Sequence, residues 1–195
     1  MIYTVAELAE TFQRLLGELG RILDEQGVDW MIVGGLAVGA WTEPRGTKDC
    51  DLAIAVPADT GAFERALERA GLRVARGDLT HAARGGSVRL QYARDAEPPL
   101  AIDLLCAGTE FEREALARRR RIEVLGVRSY VVAPDDLVVY KLIAGRPQDV
   151  ADVDRLLRFG RAPEDEARLR YWAREWEVEE RLDRALATAK RGSDG

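Results

Sequence analysis

The sequence predicts a mixed α/β fold of the α+β kind, a mixed sheet flanked by helices, followed by a helical C-terminal portion. Three observations predict it. From Thr4 to about Gln26 the apolar residues Val5, Leu8, Phe12, Leu15, Leu16, Leu19 and Leu23 recur at steps of three and four, the period of an amphipathic helix. Short apolar or alternating runs bounded by glycines then follow one another to about residue 133. From Pro134 the helical period persists to near residue 190, broken at Gly145 to Pro147 and at Gly160 to Pro163. The expected division is therefore a core of residues 1–133 and a helical portion of residues 134–195.

The elements read in order as follows. Gly27 closes the first helix, and VDWMIV (28–33) suits a short buried strand. LAVGAW, after Gly35, suits a short helix. DCDLAIAV (49–56) alternates, with Cys50, Leu52, Ile54 and Val56 on one face and Asp49 and Asp51 on the other. A helix is expected from about Asp59 to Ala70, then strands in LRVA, SVRLQYA and LAIDLLCAG. FEREALARR reads as helix, and RIEVLGVRSYVVA as a hairpin turning at Gly126.

Composition excludes several classes of protein. With 195 residues, 47% of them apolar and 32% charged, the chain can build one ordinary core. Its two cysteines, Cys50 and Cys106, sit in apolar runs and suggest packed thiols in place of a disulfide framework. The first residues lack the pattern of a signal peptide, and no stretch has the length of a membrane span, so a cytoplasmic protein without a membrane partner is expected. A net charge of −5 argues against a surface built wholly for nucleic acid. The run Arg118 to Arg121 reads as a solvated face.

The chemistry concentrates in VGGLAVGAWTEPRGTKDCDLAIAV. Gly34 and Gly35 lie between a strand and a helix start, where backbone can approach a phosphate and free N–H groups attract negative charge. Thirteen residues separate Gly35 from Asp49, and Asp49 and Asp51 at i and i+2 share one strand face, so both can ligate divalent cations. Asp103 lies in the otherwise apolar LAIDLLC, a costly place for a carboxylate unless a cation or hydrogen bonds compensate it. The three acids suit a pair of magnesium ions, with manganese as a substitute, and Asp103 suits either the base for an incoming hydroxyl or the metal ligand that makes a base unnecessary. Arg45, Thr47 and Lys48 precede the acids and are candidates to contact a triphosphate, although loop charges are by default solvated.

At these positions, across roughly residues 28–105, the chain resembles the nucleotidyltransferase superfamily typified by DNA polymerase β. The signature of that superfamily is Gly-Gly or Gly-Ser, a spacer, Asp-x-Asp and a later third Asp. PDDLVVYKLIAGRPQDVADVDRLL (134–157) further resembles the second motif of AbiEii/AbiGii-type nucleotidyltransferases. The resemblance implies the nucleotidyltransferase fold and transfer of a nucleoside monophosphate from an NTP to a hydroxyl on RNA, a small molecule or a protein. It also implies a toxin-antitoxin-like setting with a cognate antitoxin. Lys141 would reach the nucleotide phosphates or the acids, and Arg146, Asp149 and Asp152 would organise the helical layer behind it. On the residues alone, Lys141 could equally extend its charge to water, and Arg146, Asp149 and Asp152 could be a surface ion-pair cluster.

Rival readings exist. Gly34, Gly35 and Gly39 do not form the dinucleotide fingerprint Gly-x-Gly-x-x-Gly. An isolated Asp-x-Asp would read as a strand end or turn. His81 falls in a polar loop without metal-ligand neighbours, and Trp172 and Trp176 read as packing for the C-terminal helices. The alternative function is an inactive nucleotidyltransferase-like binding module.

Overall fold

A computed structural model describes residues 5–43, 49–76, 78–92, 100–160 and 162–193. The chain opens with α1 (Val5–Glu25), whose buried stripe of Phe12, Leu15, Leu16, Leu19, Ile22 and Leu23 packs into the core. There follow β1 (Trp30–Ile32), α2 (Gly34–Trp41), β2 (Asp49–Ile54), α3 (Thr60–Arg69), β3 (Leu72–Arg76), the single turn α4 (Leu79–Ala82), β4 (Ser87–Tyr92) and β5 (Leu100–Cys106). Then come α5 (Glu110–Ala117), β6 (Arg120–Val124), β7 (Val127–Val131), α6 (Pro134–Ala144), α7 (Pro147–Phe159), α8 (Glu166–Glu175) and α9 (Glu179–Ser193). The expected mixed sheet with flanking helices and a helical C-terminal region is present.

Local chemistry sets the ends of these elements. The Asp59 side chain caps α3 by accepting from the Ala62 amide at 2.8 Å. Thr109 and Glu112 form a reciprocal capping box on α5, and α6 and α7 each begin at a proline, whose fixed φ suits a first helical turn. Leu125 and Gly126, both at positive φ, turn the β6–β7 hairpin.

The sheet order among the described strands is β3-β4-β5-β2-β1-β7-β6. β2 sits at its centre, antiparallel to β1 and parallel to β5. β4 pairs antiparallel with β5, and β6 with β7. β1 is buried along its whole length, whereas β4 and β5 alternate, with Val88, Leu90, Tyr92, Ile102 and Leu104 turned inward. One apolar cluster runs from Phe12 on α1 to Leu182 on α9, so the C-terminal helices share the core of the sheet.

Three local expectations change. The polar loop expected around His81 contains α4, capped by the Asp78 side chain, because a side-chain acceptor at that position satisfies a free helix amide. The C-terminal helical run breaks a third time, at Trp176 to Val178, where Glu177 adopts a φ of 56°. Of the arginines from Arg118 to Arg121, Arg120 and Arg121 stay exposed as expected, but Arg119 bonds Asp29 at 2.6 Å and Arg118 lies 3.5 Å from Asp136, while Arg120 pairs with Glu164 at 3.1 Å. Arg119 and Arg121 both lie over the Tyr130 ring. Among the described residues, no helix is long and apolar enough to cross a membrane.

Candidate active site

The acids come together through strand register. In the parallel β2–β5 pair Asp51 stands opposite Asp103, and Asp49 opposite Ala101. Since side chains alternate along a strand, Asp49, Asp51 and Asp103 share one face, while Cys50, Leu52, Ile102 and Leu104 fill the core on the other. All three acids are half-buried. The middle-of-strand position of Asp103 is therefore open on one side.

Gly34 and Gly35 begin α2, directly after β1. The Val33 amide donates to the Asp51 carbonyl at 2.9 Å, which ties the start of this helix to β2. Gly34 has a φ of +64°, and a Cβ built on it would fall within the Asp51 carboxyl group. The position thus requires glycine both for its backbone and for the closeness of the acid. The N-cap residue Val33 offers no side-chain cap to the first turn of α2.

Gly34, Asp51 and Asp103 line a cleft of about 620 Å³, with Arg89 on one wall and Lys141 and Arg146 on another. The Asp51 carboxyl is pushed above the usual carboxylate range by burial and then by repulsion from Asp103 and Asp49, with Lys141 and Arg146 drawing it partly back. Burial, reinforced by Asp51 and Asp103, raises the Cys50 thiol, which keeps it protonated in the core.

The third acid is held in a way the sequence did not foretell. Arg89 on β4 stands opposite Asp103, and its Nε and Nη2 donate to Asp103 Oδ1 and Oδ2 at 2.8 and 2.5 Å. Arg89 thereby takes up one of the three acids on this face, and among the described residues no group of three acidic, histidine or cysteine side chains is arranged to hold a metal as they stand. An outward arginine in the alternating SVRLQY was the available signal, but its partner follows only from the β4–β5 register.

Lys141 also differs from the alternatives open in the sequence. Its Nζ is buried 2.9 Å from Asp149 and 2.8 Å from Asp152, so it does not extend to water. Asp149 and Asp152 are themselves buried, which displaces the reading of a surface ion-pair cluster. Burial alone would raise the Asp149 carboxyl, but hydrogen bonds from Arg146 and Lys141 outweigh it and hold it below the ordinary range. Arg146, at the start of α7, forks onto Asp149 while most of its side chain stays exposed. Arg45, Thr47 and Lys48 lie outside the described residues. Trp172 is buried with its ring 5.3 Å from Phe111, whose ring is 4.9 Å from Tyr140 of α6; Trp176 is partly exposed at the rim of this group.

No family model matches the sequence, and no curated protein matches it. Solved structures do. An antigenic nucleotidyltransferase-like protein from Paracoccidioides brasiliensis is 16% identical with a TM-score of 0.57, the similarity covering 94% of each chain. The solution structure of the antibiotic-resistance factor ANT(2'')-Ia is 14% identical with a TM-score of 0.53, over 95% of each chain. The crystal structure of ANT(2'')-Ia in complex with adenylyl-2''-tobramycin is 15% identical with a TM-score of 0.51, over 94% of this chain and 99% of that one. The fold is that of nucleotidyltransferase-like proteins. At these identities the likeness is one of fold, so activity must be argued from the site.

Proposed function

We propose that the protein transfers a nucleoside monophosphate from an NTP to a hydroxyl acceptor, using Asp49, Asp51 and Asp103. The observation that carries this reading is the register of Asp51 opposite Asp103 beside Gly34, where a side chain would be strained and would collide with the Asp51 carboxyl group. The hard carboxylate oxygens of these acids suit magnesium, or manganese, once Arg89 is drawn off Asp103, and a cation there would offset the burial and the repulsion that together raise Asp51. Asp49 and Asp51, with Asp103, would hold the ions. Magnesium bound there would polarise the phosphoryl group and offset charge on the departing pyrophosphate.

The remaining work belongs to the chain. The first amides of α2, presented by Gly34 and Gly35, receive the triphosphate oxygens. Arg146, held by Asp149 and exposed to the cleft, adds positive charge, and Lys141 keeps that support in place. Arg45, Thr47 and Lys48 are proposed as further triphosphate contacts. Asp103 accepts the proton of the acceptor hydroxyl as its oxygen bonds to the α-phosphorus and the bond to pyrophosphate breaks.

A hydroxyl on a small molecule is the acceptor class we favour, since ANT(2'')-Ia, with its adenylyl-2''-tobramycin complex, shares the fold over nearly the whole chain. The likeness of residues 134–157 to AbiEii/AbiGii-type proteins supports a second setting, a toxin with an RNA or protein acceptor and an antitoxin partner, in the cytoplasm. Incubation with each labelled NTP and magnesium, against an aminoglycoside panel, total tRNA and cell extract, separates these acceptors. Asp51→Asn should lower magnesium-dependent pyrophosphate release by about a thousandfold or more while the protein stays folded. Release that survives this change would remove the site assignment. The pairing of Asp103 with Arg89 is the one observation favouring a binding module without chemistry. NTP binding without magnesium-dependent pyrophosphate release would establish that alternative.

A further inference from the structure

Of the cations lining the cleft, Lys141 and Arg146 answer to Asp149 and Asp152, which lie outside the proposed catalytic set. Arg89 is different, because its partner is Asp103 itself. The two face each other across the antiparallel β4–β5 pair, the closest side-chain relation a sheet offers. The fork takes one lone pair on each oxygen of Asp103 and sets a positive charge beside them, so a cation approaching that carboxylate meets both a partly used group and a like charge. The pair is also loose enough to open, since the Arg89 side chain is 46% exposed and that of Asp103 25%, and ion pairs so exposed are weak.

We infer that Arg89 is the competitor a divalent cation must displace from Asp103, and that the released guanidinium then serves the triphosphate in the same cleft. This rests on the nucleotidyl-transfer reading above. A divalent ion brings twice the charge of a guanidinium and takes the same oxygens. The displaced Arg89 is left beside the cation, and this excess of positive charge is what a triphosphate neutralises. Cation and nucleotide thereby favour each other's binding through one side chain, and by linkage the coupling runs equally in both directions. Arg89 is a positioning and binding residue in this scheme, and no step of bond making passes through it.

Mn2+ binding, followed by the loss of the free-ion paramagnetic resonance signal, tests the competition without any turnover. Arg89→Gln should tighten Mn2+ binding about fivefold relative to the unaltered protein. Arg89→Lys, which keeps the charge but loses the fork, should fall between the two, and it carries the test should the glutamine variant fold poorly. Equal Mn2+ affinity in all three proteins would overturn the competition. The hand-over is tested with fluorescent α,β-methylene analogues of the four NTPs at one buffered free magnesium concentration. Arg89→Gln should weaken the analogue that binds by about tenfold, and an unchanged affinity would overturn this half. Asp51→Asn distinguishes the two levels of failure. If it leaves Mn2+ binding intact, the site reading itself is wrong; if it abolishes binding that Arg89→Gln does not alter, only the present inference falls.

Discussion

Two groups of carboxylates line neighbouring parts of this molecule, and they are treated in opposite ways. Asp149 and Asp152, early in α7, are buried, and both meet the Lys141 ammonium at hydrogen-bond distance. Asp49, Asp51 and Asp103, on the face of β2 and β5, are only half-buried, and burial together with repulsion from its two neighbours raises Asp51. The first group is compensated on the spot, and so it serves the fold. The second opens onto the cleft through Asp51 and Asp103, where Lys141 and Arg146 draw Asp51 only partly back, and this leaves a place for a further cationic ligand.

The contrast can be broken at several points. Lys141→Met should have the largest effect on stability, lowering it by about 3 kcal/mol in urea unfolding, because it withdraws the ammonium shared by two buried carboxylates. A loss under a few tenths of that would mean the cluster is not structural. Gly34→Ala should cost about 2 kcal/mol through its left-handed backbone, and nucleotide binding should be lost with it because the added carbon meets Asp51. Thermal unfolding read beside NTP binding checks both.

A smaller effect should appear in pH dependence. Asp149 is held below its ordinary value of 3.8, so it contributes stability above that pH and loses it as pH falls through the lowered value. Asp136 on α6, raised mainly by burial despite Arg168, has the opposite sign: its contribution is present below 3.8 and is lost as pH rises through its raised value. The difference in urea midpoint between the unaltered protein and Asp149→Asn should therefore narrow from pH 6 towards pH 3. A difference that stayed constant would contradict the assignment. Smallest of all, Arg120→Ala should change stability by about 0.5 kcal/mol or less, since its pair with Glu164 is largely exposed.

Much of this was legible before any coordinates. The alternation of DCDLAIAV sets Asp49 and Asp51 on one side of β2, and the Gly34-Gly35 pair after an apolar run marks the start of α2. What stayed hidden involved partners on neighbouring strands and helices, which local periodicity does not pair. Arg89 looked like any outward arginine on a half-buried strand, and Lys141 like a lysine able to reach solvent. α4 escaped notice because a one-turn helix has no period to detect, only a capping aspartate.

The sequence by itself determined the run of elements and the side on which each acid lies along its own strand, because those depend on periods of two and 3.6 residues within a few neighbours. Only the tertiary structure decided that β5 lies beside β2 in the register that sets Asp51 against Asp103, that β4 brings Arg89 to the same carboxylate, and that α6 and α7 close the wall. Strand order and register are set by burying one shared core across more than fifty residues of intervening chain, a condition no local stretch carries.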